Sequence, residues 1–463
     1  MQISGAGLLA LLVLVAFALP MASVSVGAQD FNPTATPNDP IWRGFSAVRD
    51  AIQKKKSVDL TIVRAYDWEQ SEWKGGIDSC ITLDDPNTAR KIYFGWTYTV
   101  TSMKGDKYQA RISFDLKQIT VCDKVVTAAA PAPAAPAANL PTPVPGSAAA
   151  GGFEIGGQAL DTNLNTLGLM NRSGMKWIKQ QVSYNQGDDP NKTANQIKVA
   201  HGNGFKILLS VPGNKEQLAA NFDGYVGQYA TFVGNIAGLG ADALEIWNEP
   251  NIDREWPGGQ VNGASYTKML AAAFNAIKAK NPNTLVISAA PAPTGFFGAA
   301  GCTAQGCNDD VFMQQMAQAG AANYLDCVGL HYNEGIVSPS TNSGDPRGEY
   351  PTRYFSSMLN RGFSPFGGKK VCFTELGYLT PQGYGTPLPA SFAWGQNTTV
   401  AQQASWLAEA ATLSATSGKV RLMIVFNVDF SFYTATDPQG GYAIFRPDKS
   451  CPACDSLGAV MKK

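Results

Sequence analysis

Two glutamates stand at places where a side chain can do chemistry. Glu249 closes the run Leu244-Glu245-Ile246-Trp247-Asn248-Glu249-Pro250-Asn251, and Glu375 lies in Val371-Cys372-Phe373-Thr374-Glu375-Leu376-Gly377. Each run is short and apolar, the composition of a buried strand. Two carboxylates facing each other over a cleft can divide acid–base labour: one keeps its proton and gives it to a leaving oxygen, the other stays ionised and attacks carbon. Other chemistries are thinly supplied. The chain has 2 histidines, His201 and His331, which argues against a His-clustered metal site and leaves few candidates for a Ser-His-Asp arrangement. No metal and no cofactor are expected. Glu245 lies four residues before Glu249, deeper in the same run, and is expected to bond structurally rather than react.

The elements that must position these residues repeat along the chain. Buried-strand runs fall at 153–160, 175–184, 205–213, 243–251, 284–293, 325–333, 369–378 and 420–430, with helix-like stretches between them. The cleanest helix covers 265–280, where Tyr266, Met269, Leu270, Ala273, Phe274 and Ile277 form one apolar stripe. Strands separated by helices imply parallel pairing with right-handed crossovers. Eight such units in roughly 310 residues have the count and size of a (β/α)8 TIM barrel. A doubly wound sheet would need a Gly-rich phosphate loop after the first strand, and Gly156-Gly157-Gln158 is not one. In a barrel, active groups sit at the C-terminal strand ends. Glu249 ends the fourth run and Glu375 the seventh, so closure sets them across one mouth.

The stretches EIWNEPN and FTELG resemble the two signatures of the retaining glycoside hydrolase superfamily on (β/α)8 barrels, often called clan A, whose members include cellulase-like, mannanase and β-xylosidase families. The resemblance covers roughly 151–463. It implies Glu249 as acid/base, Glu375 as nucleophile and Asn248 as a partner of the sugar 2-hydroxyl. It also implies that His331 or Tyr332, at the end of the sixth strand, contacts the nucleophile or the sugar; which of the two points inward stays open. Lys179, in Trp177-Ile178-Lys179-Gln180-Gln181, ends the second strand where many relatives carry Arg. A cation there would hold the nucleophile ionised, while an outward Lys is the alternative. Many relatives present a Trp after the eighth strand as a sugar platform. None stands at that position here, so Phe430, Phe432 or Trp256 is a candidate substitute.

The rest of the chain reads as packaging for export. Of 463 residues, 16% are charged and the formal net charge is zero, which gives no reason to expect nucleic acid as a partner. A carbohydrate is the expected one. Residues 8–19 form an apolar run followed by Val26-Gly27-Ala28, so 1–28 reads as a signal peptide. The segment before the run carries no Lys or Arg. The competing reading is an uncleaved anchor, but the run is shorter than the ~20 residues a spanning helix needs, so no stable membrane insertion is expected after cleavage. Residues 31–39 look disordered. Residues 128–150 alternate Pro and Ala with almost no charge and read as a semi-extended spacer.

Between signal and spacer, 40–127 reads as a small α+β domain: a helix over 40–56, strands at 58–65, 91–103 and 108–121, and a hairpin turn at 103–106. It resembles a small two-cysteine accessory domain of exported bacterial proteins through Glu72-Trp73, Cys80, Gly95 and Cys122. The 8 cysteines suit an oxidising compartment. Cys80 is expected to pair with Cys122, Cys302 with Cys307 and Cys451 with Cys454; for Cys327 and Cys372, a mutual bond and two buried thiols stay open.

Two function classes remain. One is hydrolysis of a β-linked glycoside with retention, with transglycosylation by the same two glutamates as a variant. The other is a non-catalytic carbohydrate-binding barrel. Presence of both carboxylates favours the enzyme.

Overall fold

The computed structural model of the protein describes residues 40–74, 80, 92–113, 116–125, 140–145, 151–294, 297, 301–434 and 436–462. The expected signal peptide, the 31–39 stretch and most of the Pro/Ala spacer lie outside the described residues.

The N-terminal portion is one helix on a four-stranded antiparallel sheet. The helix α1 (Pro40–Lys56) is followed by β1 (Val63–Lys74), β2 (Ile92–Ser102), β3 (Lys107–Ser113) and β4 (Ile119–Val121), paired in that order. Phe45, Val48 and Ile52 recur on one helix face and close over Trp96, Tyr98, Val100, Ala110 and Ile112. Trp96 and Tyr98 of β2 are therefore core. The turn at 103–106 is present, with Gly105 at φ +93. The first strand starts later than its apolar run suggests. Residues 58–62 instead cap the helix: Gln53 accepts from the Leu60 amide at 2.6 Å, and Asp59 from Thr61 at 2.9 Å. The strand β1 then runs along the edge of the sheet. The expected strand at 108–121 is split near Leu116, which has φ +59.

The larger portion alternates strand and helix: β5 (Glu154–Gln158), α2 (Leu164–Arg172), β6 (Trp177–Gln181), α3 (Ala194–Gly202), β7 (Lys206–Val211), α4 (Lys215–Ala220), α5 (Phe222–Gly238), β8 (Ala243–Ile246), α6 (Gly263–Lys280) and β9 (Leu285–Ser288). After a two-residue hairpin pair, β10 (Cys302–Thr303) and β11 (Gly306–Cys307), come α7 (Asp309–Gln318), β12 (Val328–Tyr332), α8 (Phe355–Phe363), β13 (Val371–Leu376), α9 (Val400–Ser417), β14 (Val420–Val425) and α10 (Pro452–Met461). The eight long strands form one parallel sheet in the order β12-β13-β14-β5-β6-β7-β8-β9. The two ends of that order meet: Ser288 N donates to Cys327 O at 3.2 Å, and Gly329 N to Ser288 Oγ at 3.0 Å. At this seam Gly329 is required, because a Cβ would lie 2.0 Å from Ser288 O. The fold is a (β/α)8 barrel. Every expected strand is present but shorter than its apolar run, because residues just beyond the ladders, such as Val182, Trp247 and Tyr378, are buried by loop packing.

Inside the barrel the two ends differ. The lower interior is apolar: Trp177, Leu208, Ala243, Leu285, Ile287, Cys327, Cys372, Leu422 and Ile424. Above it sit Lys179, Ser210, Glu245, His331 and Thr374, all fully buried. All eight cysteines pair, as Cys80–Cys122, Cys302–Cys307, Cys327–Cys372 and Cys451–Cys454. The third bond joins neighbouring strands at the barrel base.

Part of the spacer is docked rather than free. Asn275 on α6 accepts from Val144 N and donates to Thr142 O, Tyr324 donates to Pro141 O, and Leu140 packs on the barrel's outer core.

Candidate active site at the barrel mouth

Strand alternation decides which side chains reach the mouth. In β6, Ile178 faces the helices and Lys179 faces in. In β8, Leu244 and Ile246 face the helices, which turns Glu245 inward. In β12, Val328, Leu330 and Tyr332 face the helices, which turns His331 inward. β13 carries one extra residue opposite the step from Leu330 to His331, so that Glu375, not Thr374, stands level with His331. Such an irregularity re-aims a side chain. Tyr332 is not a mouth residue: it is buried against Phe355 and Tyr378, and its hydroxyl donates to Arg353 O at 3.1 Å.

Glu375 is embedded among donors. Lys179 Nζ lies 3.1 Å from its Oε1, Asn333 Nδ2 donates to its Oε2 at 3.1 Å, and His331 Nδ1 is 3.9 Å from the same Oε2. Burial alone would raise its pKa, but His331 and Lys179 outweigh that and hold the carboxyl below the usual range. Lys179 also pairs with Glu245, at 3.5 Å, and donates to Thr374 O. Burial works against its charge; Glu245 and Glu375 together overcome it and keep the ammonium protonated. His331 follows the same logic: burial opposes its charge, and Glu375 and Glu249 raise its pKa nonetheless.

Glu249 stands opposite, just past β8. The chain turns sharply here, with Trp247 at φ +78 and Glu249 at φ +43, conformations costly for side-chain-bearing residues and often found at functional sites. The turn is held by packing. Trp247 Nε1 donates to Glu255 O, and Trp247 N donates to the Tyr229 hydroxyl. His331 Nδ1 lies 3.1 Å from Glu249 Oε1, and Arg254 Nη2 donates to Glu249 Oε2. One imidazole nitrogen thus touches both carboxyl groups. An oxygen of Glu249 and one of Glu375 can be no more than about 7 Å apart, the sum of the two distances. Retaining pairs stand about 5–5.5 Å apart and inverting pairs about 6.5–9.5 Å.

Asn248 is almost fully buried beside Glu249, and its Oδ1 has no partner among the described residues; the same holds for His331 Nε2 and Asn333 Oδ1. Trp256, expected as a sugar platform, is instead core. It is completely buried, edge-on to Trp247 at 5.1 Å and to Tyr266 at 6.0 Å, with Nε1 donating to Gln260 O. Its size and apolarity served loop packing. Phe430 is half-buried against Phe426, and Phe432 is exposed.

Three residues of this region escaped the sequence reading. Asn333 lies two positions past His331 and follows it inward by alternation to reach Glu375. Arg254 lies in a loop with no periodicity to place it. Asn251 is the last letter of the NEPN string: it is buried and ties two loops together, donating to Ala292 O and Cys307 O. Among the described residues, no group of three or more His, Cys, Asp or Glu side chains is set to hold a metal ion.

No protein-family model matches the chain, and no curated protein matches it. Solved structures similar to it include an endo-1,4-β-mannanase from Rhizomucor miehei, 14% identical over 67% of this chain and 95% of that one, with a TM-score of 0.44. The catalytic domain of a Thermobifida fusca endoglucanase is 15% identical over 68% and 91%, with a TM-score of 0.40. An endo-glycoceramidase from Rhodococcus sp. is 12% identical over 66% and 78%, with a TM-score of 0.39.

Proposed function

We propose that the protein is a retaining glycoside hydrolase that cleaves β-linked O-glycosides. Glu375 is the nucleophile and Glu249 the acid/base. The observation that carries this reading is the asymmetry of the pair: two carboxyl groups share one imidazole, and only Glu375 is backed by a buried ammonium. A nucleophile must arrive ionised, and Lys179 supplies that condition before any substrate binds. Glu375 attacks the anomeric carbon while Glu249 gives its proton to the departing oxygen. The resulting glycosyl ester is hydrolysed by a water from which Glu249 removes a proton. Unpartnered polar atoms of Asn248 and Asn333 at the rim suit sugar hydroxyls, since buried polar groups of this kind are normally satisfied. Four disulfides and the N-terminal apolar run support export to an oxidising compartment.

The test is proton NMR of the first sugar released from a panel of β-glycosides and β-linked oligosaccharides. A β-hemiacetal formed first is the expected result. An inverted product excludes the double displacement, and binding without any turnover would make the protein a carbohydrate-binding barrel. Longer oligosaccharides in place of free sugar would mark a transglycosylase.

A further inference from the structure

The loop between β13 and α9 holds a cavity that the chemistry of the mouth does not use. Residues 377–399 include no Asp, Glu, Lys, Arg or His. Within them lies a depression of about 480 Å³, lined by Gln382, Thr386, Pro387, Gln396 and Asn397 among others. That volume falls in the range of ligand sites, roughly 300–1,000 Å³. The partners that hold Glu249, Glu375 and Lys179 come from other segments. We propose that this depression is a second binding site, apart from the catalytic cleft, for a stretch of neutral polysaccharide chain. That the ligand is a glycan rests on the hydrolase reading above.

The walls are set before any ligand arrives. Gln382 Oε1 accepts from Val400 N at 2.7 Å, and Gln396 Oε1 accepts from Leu388 N at 2.8 Å. A backbone N–H can only donate, so each amide oxygen is turned to the chain and each Nε2 remains for another partner. Among the described residues neither Nε2 has one, and the Asn397 side chain has none either. The loop that carries them is fastened near both ends. Thr380 Oγ1 donates to Thr398 O at 2.6 Å, Thr380 N donates to Gly441 O at 3.0 Å, and the buried Arg446 donates to Gln382 O at 2.6 Å. Tyr433 stacks on Tyr384 with ring centroids 4.0 Å apart, and its hydroxyl donates to Thr386 O at 3.1 Å. Donors fixed in this way bind at a lower ordering cost than donors on a loose loop.

The lining selects the ligand. No charged side chain lines the depression, so a carboxylate, phosphate or ammonium would find no counter-charge in the lining to offset its lost water. The site offers amide N–H groups, threonine hydroxyls and the exposed ring of Pro387. Sugar hydroxyls exchange hydrogen bonds with the first two, and a sugar C–H face packs on the third. The depression is open to solvent rather than enclosed, which suits the middle of a chain whose ends run on. The loop follows the strand that carries Glu375, so a polysaccharide held here is kept at the same end of the barrel as the mouth.

The experiment uses the full-length protein carrying Glu375→Ala, so that polysaccharide is bound and not consumed. Native gels cast with soluble β-glucan, galactomannan, arabinoxylan or polygalacturonate give retention relative to a gel without polymer. The parent should be retarded by at least one neutral polymer and not by polygalacturonate. Gln382→Glu/Gln396→Glu keeps both oxygens that accept from the backbone and removes both donors. It should weaken retention about tenfold, the order of two net hydrogen bonds. Asn397→Ala removes a side chain that ties down nothing else, so it should keep the parent's unfolding midpoint and weaken retention about threefold. It decides the matter if the double variant does not fold. Unchanged retention in Asn397→Ala and in a folded double variant would place all binding in the cleft and overturn the second site. So would a parent that no neutral polymer retards, or that polygalacturonate retards more. Wild type on the same polymers separates the two readings: if it shortens none of them while retention still depends on Gln382 and Gln396, the hydrolase reading fails and the binding site stands.

Discussion

The two sides of the barrel mouth hold their carboxyl groups by opposite means. Glu375 issues from the ordered part of a strand and meets Lys179 and His331, both fully buried. Glu249 sits past the end of a strand, on a turn with two positive-φ residues, and is held between that same imidazole and a mostly exposed arginine. Buried partners interact in a low effective dielectric and are little screened. Exposed ones are weak and easily exchanged. On the proposed reading, a carboxylate that must be ready before substrate arrives is built into the core. The proposed acid/base is held at the rim, between the shared imidazole and a side chain that water can reach. The comparison also gives the extra residue in β13 a reason: it sets Glu375 level with the imidazole that faces both sides.

The strongest way to break this comparison is to remove the carboxylate of the buried side. Glu375→Ala should lower turnover on the order of 10⁴–10⁶-fold, as for loss of a covalent nucleophile. Added azide should restore slow cleavage with an inverted product, read by NMR. Next in size is Glu249→Ala. On unactivated disaccharides the loss should be about 10²–10⁴-fold, the usual span for general acid catalysis. On dinitrophenyl glycosides the first step should survive, and azide should trap a retained β-glycosyl azide. Exchanged azide products would mean that the sides are reversed.

Lys179→Met probes the buried side more finely. It strips Glu375 of its ammonium and leaves Glu245 buried and unpaired. Breaking such a pair from one end costs about 3–5 kcal/mol, measurable by denaturant unfolding. The pH dependence has a definite sign. In wild type Glu375 is held below the usual carboxylate range, so the acid limb of kcat/KM lies low. Without Lys179 the carboxyl is protonated more readily, and activity should be lost at higher pH than in wild type. The double variant Lys179→Met/Glu245→Gln should regain part of the stability and none of the limb. An unmoved limb in both would place the control of Glu375 with His331 alone. Asn333→Ala should be milder: a hydrogen bond to a charged group contributes about 1.5–3 kcal/mol, a loss of about tenfold to somewhat over a hundredfold in kcat/KM.

How much of this was legible in the sequence follows from the same contrast. Strand-borne features were readable, because a buried strand carries its period in its residues. The eight runs and the glutamates near the ends of the fourth and seventh stand out in the residues themselves, whereas Lys179 could face either way, and its bond to Glu375 shows it inward. What was not readable arises where one residue more or less in a ladder, or a loop without a period, sets direction. One extra residue in β13 sets Glu375, not Thr374, level with His331. Trp256 has the composition of a sugar platform, but a fold of irregular backbone packed it against Trp247. Arg254 carries no pattern at all, and its meaning comes from the turn that returns it to Glu249. The same holds for Cys327 and Cys372, whose pairing needed the neighbouring positions of β12 and β13.

The smallest expected effect tests whether both sides of the mouth are contained in the barrel. Every residue placed there lies after 151, so a chain beginning at Gly151 should keep wild-type kcat/KM on small soluble substrates. It should not keep wild-type stability. Beginning there removes Leu140 from the outer core and leaves Asn275 and Tyr324 without their bonds to Val144, Thr142 and Pro141. Each of these hydrogen bonds contributes about 0.5–1.5 kcal/mol, and the partly buried Leu140 less than the about 1.5–3 kcal/mol of a fully buried leucine. These groups lie on α6 and the turn after α7, on the outer wall, so their loss should lower the unfolding midpoint and spare the chemistry. A chain beginning at Leu140 should recover the midpoint. Loss of activity in the chain from Gly151, with the midpoint of the chain from Leu140, would mean that the segment reaches the mouth, and that the contrast between its two sides depends on more than the barrel.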